Sequence, residues 1–180
     1  MTKVFIDGQA GTTGLRIKDR LLSRDDIELL VIDDDKRKDN NEIRKFINES
    51  DITFLCLPDA AAIEAVALLD RDNKKTKIID ASTAHRTNPL WAYGFPELSA
   101  ELKNKIEANQ FIANPGCYAS GFNSIVAPLV KNGVIDSNFP ITCFAVSGYS
   151  GAGNKAIAQY ENPNRDTELN SPRQYALTQN

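Results

Sequence analysis

"VFIDGQAGTTGLRI", residues 4–17, runs from an apolar stretch through three evenly spaced glycines into a segment with helical spacing. Gly8, Gly11 and Gly14 form a G-x-x-G-x-x-G pattern, related to the commoner G-x-G-x-x-G. Positions without side chains let the backbone turn tightly and approach a pyrophosphate, whose charge rests on the N-terminus of the next helix. Thr12 and Thr13 add hydroxyl donors. Between a first buried strand and a first helix, the pattern reads as a dinucleotide-binding turn.

The rest of the first half alternates in the same way. Strands are expected at 3–7, 27–33, 51–58 and 77–82, and helices at 12–23, 41–48 and after Pro58, which suits a first helical position. The helix at 12–23 carries its apolar spacing at Leu15, Leu21 and Leu22. Strands that read apolar throughout are buried on both faces, and strict β-α alternation implies a parallel sheet. The fold class is α/β, a Rossmann-like doubly wound parallel sheet. A further amphipathic helix at 97–108 leads to a short strand, "QFIAN".

The ribose of a dinucleotide is read about 20 residues beyond the glycine turn, at the end of the second strand. That place holds "VIDDDKRK", residues 31–38. Asp33 would accept from the 2′-hydroxyl of NAD, whereas Lys36, Arg37 and Lys38 would pair with the 2′-phosphate of NADP. Local chemistry leaves both open.

After residue 117 the pattern changes. One long helix containing Pro128 is followed by "ITCFAVSGYS" (141–150), which reads as a strand entering a glycine-rich turn. Residues 160–180 show little periodicity and read as unstructured. The expected organisation is a dinucleotide-binding domain over 1–116, then the start of an α+β catalytic and dimerisation domain over 117–180.

Of the 180 residues, 42% are apolar and 25% charged, as in ordinary globular chains. A net charge of −3 gives no footprint for nucleic acid or an anionic membrane. No stretch approaches the roughly 20 apolar residues that span a bilayer. The N-terminus enters a strand without signal-peptide architecture, so a cytoplasmic location is expected. Three irregularly spaced cysteines make neither a disulfide framework nor a metal set.

Cys56 and Cys143 lie in apolar runs and read as buried packing residues. Cys117, in "IANPGCYAS" (112–120), differs. It follows Asn-Pro-Gly at the carboxyl end of an expected strand, where α/β sheets bind ligands. It also opens a helix, whose N-terminal dipole favours thiolate. A nucleophile is the functional reading of this thiol; a small residue chosen for packing is the alternative.

The ordered set "DGQAGTTGLRI", "DITFLCLPDAAA", "IDASTAHRT", "WAYGFPEL", "NPGCYASG" and "SGYSGAGNK" resembles the shorter form of the N-acetyl-γ-glutamyl-phosphate reductases of arginine biosynthesis. The wider group includes aspartate-semialdehyde dehydrogenase. The resemblance implies reduction of an acyl phosphate by NADPH to the semialdehyde and phosphate, with Cys117 as the acyl-accepting catalytic residue. On this reading Gly8, Gly11, Thr12, Thr13, Gly14, Arg37 and Pro58 hold NADP. From position alone, the Cys117 N–H and the Asn114 side chain are the candidate oxyanion donors. Arg86 and Lys155 are candidates for the substrate's anionic groups, and Ser82 and Thr83 for positioning it. The partners expected are a small-molecule substrate and, at full length, further copies of the chain.

The family's general acid–base histidine, from a His-x-His-x-Pro-Glu-like stretch, is not matched before Asn180. His85, the single histidine, belongs to a different motif and reads as structural or solvated. The chain is therefore expected to be an N-terminal part of the enzyme, with little turnover alone. The rival readings are an aspartate-semialdehyde dehydrogenase or N-acetyl-aminoadipyl-phosphate reductase, and a non-catalytic dinucleotide-binding protein.

Overall fold

The computed structural model describes residues 1–174. Two compact units emerge, Met1–Ala145 and the residues from Val146 onward. In the first, β1 (Thr2–Asp7), β2 (Ile27–Leu30), β3 (Ile52–Leu55), β4 (Lys77–Asp80), β5 (Ala92–Tyr93) and β6 (Phe111–Ala113) form one sheet. Its order is β2-β1-β3-β4-β6-β5, and every neighbouring pair is parallel. The chain winds one way from β1 to β2, then returns across β1 to continue through β3 and β4. That reversal puts the switch point of a doubly wound sheet between β1 and β3. The glycine turn leaves β1 at this point.

The connecting helices are α1 (Thr12–Leu21), α2 (Asn40–Glu49), α3 (Asp59–Ala67) and α4 (Ala100–Ala108). α2 and α3 set Ile43, Ile47, Ala62 and Ala65 against Phe5, Leu55 and Ile78 of the sheet. Phe5 stacks on Phe46 at 5.3 Å between ring centroids. β1 is buried on both faces over Val4–Asp7 and β6 over Ile112 and Ala113, whereas β3 and β4 alternate between buried and half-buried residues.

α5 (Cys117–Lys131) contains Pro128 without being ended by it. The second unit holds α6 (Asn154–Glu161), flanked by short 3-10 turns at Tyr149–Ala152 and Thr167–Asn170. Tyr149 and Tyr160 stack at 4.8 Å. Among the described residues no helix is long and apolar enough to cross a membrane.

Several expectations are corrected. Residues 141–148 form no strand, because no strand among the described residues pairs with them and a lone strand leaves its backbone groups unbonded. Cys143 is consequently exposed, not buried. The segment 160–174 is not unstructured: it contains the end of α6 and a 3-10 turn. Residues 175–180 lie outside the described residues. Pro58 is the N-cap of α3, with extended backbone angles, one position before the first helical residue. Leu15 and Leu22 are exposed, since α1 meets β1 chiefly at its head, where Gly14 is buried. The two-residue β5 was not anticipated.

Gly8 has φ +82°, and a Cβ there would overlap the Cys56 carbonyl oxygen. The turns after β1 and β3 therefore touch through backbone. Gly8→Ala should destabilise the protein by about 3 kcal/mol or more, read as a shift in urea midpoint. Gly121→Ala, in open space on α5, should instead stabilise it by about 0.5–1 kcal/mol.

Candidate active site

Several of the candidate residues, the glycine turn, Pro58, Ser82, Asn114 and Cys117 among them, follow the carboxyl ends of the sheet's strands. Asp7 and Gly8 leave β1, Cys56 to Pro58 leave β3, Asp80 to Ser82 leave β4, and Asn114 to Cys117 leave β6. Three helices that start at this edge lack a side-chain cap: α1 after Gly11, α3 after Pro58 and α5 after Gly116. α2 and α4 are capped by Asp39 and Ser99. A helix start of this kind is a general anion-binding geometry.

The glycine turn closes on itself, the Gly11 N–H donating to the Gly8 carbonyl at 2.9 Å. Gly14 also lies so near Gly8 that a Cβ would strike the Gly8 carbonyl. The turn is thus bare backbone at the head of α1, which fits a pyrophosphate. Thr12 is half-buried and Thr13 exposed at the same helix start. Arg37 lies in the turn after β2, its Nε donating to the Asp34 carbonyl at 3.2 Å and 3.4 Å from that residue's carboxylate. Lys36 pairs with Asp33 at 3.7 Å. Two acid–base pairs thus form within this loop.

Asp80 is fully buried. Its carboxylate accepts the Ser82 N–H at 2.8 Å and the Ser82 hydroxyl at 2.7 Å, and lies 2.6 Å from His85 Nδ1. His85 stacks on Trp91 at 4.0 Å and is buried, so of its two expected readings the structural one holds and the solvated one does not. Asp59, at the head of α3, accepts both the N–H and the hydroxyl of Thr83. Those bonds hold its carboxyl below the usual carboxylate range. Two carboxylates therefore pin the 81–88 loop to the ends of β4 and β3. Arg86, carried by that loop, donates to the Asn114 carbonyl at 3.0 Å and the Ala81 carbonyl at 3.2 Å.

Cys117 is exposed at the first position of α5, with Gly116 as N-cap. The Asn114 side chain is exposed beside it and donates to the Pro115 carbonyl at 3.2 Å. Cys56 is half-buried, and burial together with the Asp7 and Asp80 charges pushes its thiol up to about 11. One thiol at this edge is half-buried and the other open to solvent. Lys155 occupies the first turn of α6, in the second unit.

The family model for the NAD-binding domain of semialdehyde dehydrogenases matches residues 3–106. The chain belongs to the semialdehyde dehydrogenase family. The model for the dimerisation domain of semialdehyde dehydrogenases matches residues 117–179, beginning at Cys117. "N-acetyl-gamma-glutamyl-phosphate reductase 2" of Nostoc sp. is 54% identical over 159 residues, 88% of this chain and 49% of that protein. The reductase of the same name, unnumbered, from Rhizobium etli (strain CIAT 652) is 45% identical over 170 residues, 94% of this chain and 54% of its own. The chain spans about half the length of these curated relatives. An aspartate semialdehyde dehydrogenase from Francisella tularensis superposes with a TM-score of 0.65 at 17% identity, over 94% of this chain and 53% of that one, and shares the fold.

In this semialdehyde dehydrogenase chain the wiring around Asp80 was not anticipated. An acid ending a buried strand, with serine two residues on, is an Asx-turn signal that sequence reading could have used. Asp7, at the end of β1, is a second buried acid of this edge. Burial pushes its carboxyl up to about 6, against a smaller opposing effect of the Gly8 N–H. The folded protein therefore holds this proton more tightly than the unfolded chain does. Stability from this group is lost as pH rises from the ordinary value of 3.8 to about 6. Asp7→Asn should be more stable than the parent by about 1–3 kcal/mol at pH 8, the gap closing toward pH 4 in urea titrations.

Proposed function

We propose that the whole protein reduces N-acetyl-γ-glutamyl phosphate to the corresponding semialdehyde with NADPH, by way of a thioester on Cys117. The observation that carries this reading is the exposed Cys117 thiol at an uncapped helix N-terminus, on the same sheet edge as the glycine turn. The names of the relatives at 54% and 45% identity support the choice of substrate and pathway, arginine biosynthesis.

The Cys117 thiolate attacks the acyl carbon; the bond from carbon to phosphate oxygen breaks, and phosphate leaves with the electron pair. The glycine turn, with Thr12, Thr13 and Pro58 at the neighbouring helix starts, holds the dinucleotide, and Arg37 meets the 2′-phosphate that makes NADP the coenzyme. A bound reduced nicotinamide supplies the hydride. Cys117 then carries a thiohemiacetal oxyanion, whose collapse breaks the carbon–sulfur bond, frees the aldehyde and returns the thiolate. The Cys117 N–H, unpaired in the first helical turn, and the Asn114 amide face the developing oxyanion.

Ser82 and Thr83 shape the site through the loop they anchor. Lys155 is an anion-holding candidate of the second unit, and Arg86 has N–H groups left for an anion beyond its two carbonyls. The domain boundary falls at 116/117, and the whole protein assembles with further copies of itself.

In the full-length protein Cys117→Ser should lower aldehyde formation by about a thousand-fold or more, and Asn114→Ala by about ten-fold or more. Iodoacetamide should alkylate Cys117 faster than Cys56 or Cys143, and the acyl phosphate should protect it. Undiminished turnover in the serine variant would remove the thioester route.

A further inference from the structure

Gly116 has φ −72° and ψ 158°, extended angles open to any residue. Conformation therefore does not require glycine there. The guanidinium packs on it closely: a Cβ on Gly116 would lie 2.9 Å from Arg86 Nη1 and 3.5 Å from its guanidinium carbon, so the Arg86 head would have to shift. The guanidinium lies over the backbone that leads directly into Cys117. Its Nε and Nη2 are meanwhile committed to the carbonyls of Asn114 and Ala81. It thus bridges the ends of β4 and β6 with three of its atoms against main chain.

The loop carrying Arg86 is tied at several points. His85, the preceding residue, is locked between the Asp80 carboxylate and the Trp91 ring, and Trp91 packs in turn against Phe111 of β6 at 5.1 Å. Thr83 is tied to Asp59, and the Asn114 N–H donates to the Asp80 carbonyl at 2.8 Å. A planar fork suits two carbonyls; a single ammonium does not.

We propose that Arg86 is a positioning residue for Cys117, gripping the Asn114–Pro115–Gly116 turn from a loop that the buried Asp80–His85 pair holds in register. Its catalytic consequence rests on Cys117 being the nucleophile; the placement of the thiol does not. The grip fixes the backbone turn from which the first residue of α5, and with it the sulfur, projects. This role is separate from holding a substrate anion, which needs only the positive charge.

The test is site-resolved alkylation of the full-length protein by iodoacetamide without substrate, followed by peptide mass spectrometry. Cys143 serves as the exposed reference thiol, and half-buried Cys56 reports any opening of the domain. Arg86→Ala and Arg86→Lys should each slow Cys117 about ten-fold relative to Cys143, the lysine variant failing to rescue although it keeps the charge. Gly116→Ala should slow Cys117 in the parent, yet add nothing in the Arg86→Ala background, where the space has been vacated.

A Cys117 rate within two-fold of the parent in Arg86→Ala, full rescue by lysine, or an undiminished Gly116→Ala effect in the double variant would each overturn the proposal. Should Arg86→Ala expose Cys56, Arg86→Lys and single Gly116→Ala with Cys56 still protected carry the same decision. In turnover, Arg86→Lys should lower kcat more than it raises KM. A parent protein that makes no aldehyde, but whose Cys117 still slows in these variants, would sink the functional reading and leave the positioning role standing.

Discussion

The Asp80 carboxylate has no access to water at the end of β4, and the donors of the following loop converge on it. A carboxylate buried without partners would cost several kcal/mol, so the loop's path is dictated by the need to satisfy it. Ser82 and His85 fold inward to meet that need. Arg86 is thereby turned toward the end of β6, and its two bonds to main chain join that strand's turn to the same buried charge. The register of the sheet and the place of the exposed thiol are linked through one side chain.

A second constraint works on the opposite side of the switch point. Gly8 touches the turn after β3 through backbone alone, and Gly14 packs on Gly8. The head of α1 can then stand close to the end of β1 with nothing projecting between them. Thr83, bonded to Asp59 at the head of α3, ties the neighbouring loop into the same rim. From the glycine turn to Cys117 the carboxyl edge carries three helix starts without side-chain caps, a geometry that suits an anionic ligand.

Much of this was legible in the sequence because periodicity and punctuation carry it. Buried runs such as Val4-Phe5-Ile6 and the helices between them gave the parallel sheet, and three glycines after β1 gave the turn. The place of Cys117 at a helix start was legible from Asn-Pro-Gly before an apolar helix. β5 was not, since Ala92 and Tyr93 are too few to show a period. The expected strand at 141–150 failed for another reason: alternation tells which residues favour extended backbone, but pairing depends on a neighbouring strand. The Arg86 grip was invisible because it joins residues 28 apart in the chain, and no local pattern announces such a bond.

If the thiol at the head of α5 does the chemistry, it must carry the acyl group for part of each turnover. Full-length protein mixed with N-acetyl-γ-glutamyl phosphate in the absence of reduced dinucleotide, quenched in acid within milliseconds and weighed intact, tests this most directly. A mass gain equal to the acyl group, mapped by peptide analysis to Cys117 and discharged as aldehyde when NADPH is added, is the predicted result. Protein that releases phosphate or aldehyde without ever bearing the acyl group on Cys117, or that bears it on Cys143, would contradict the account.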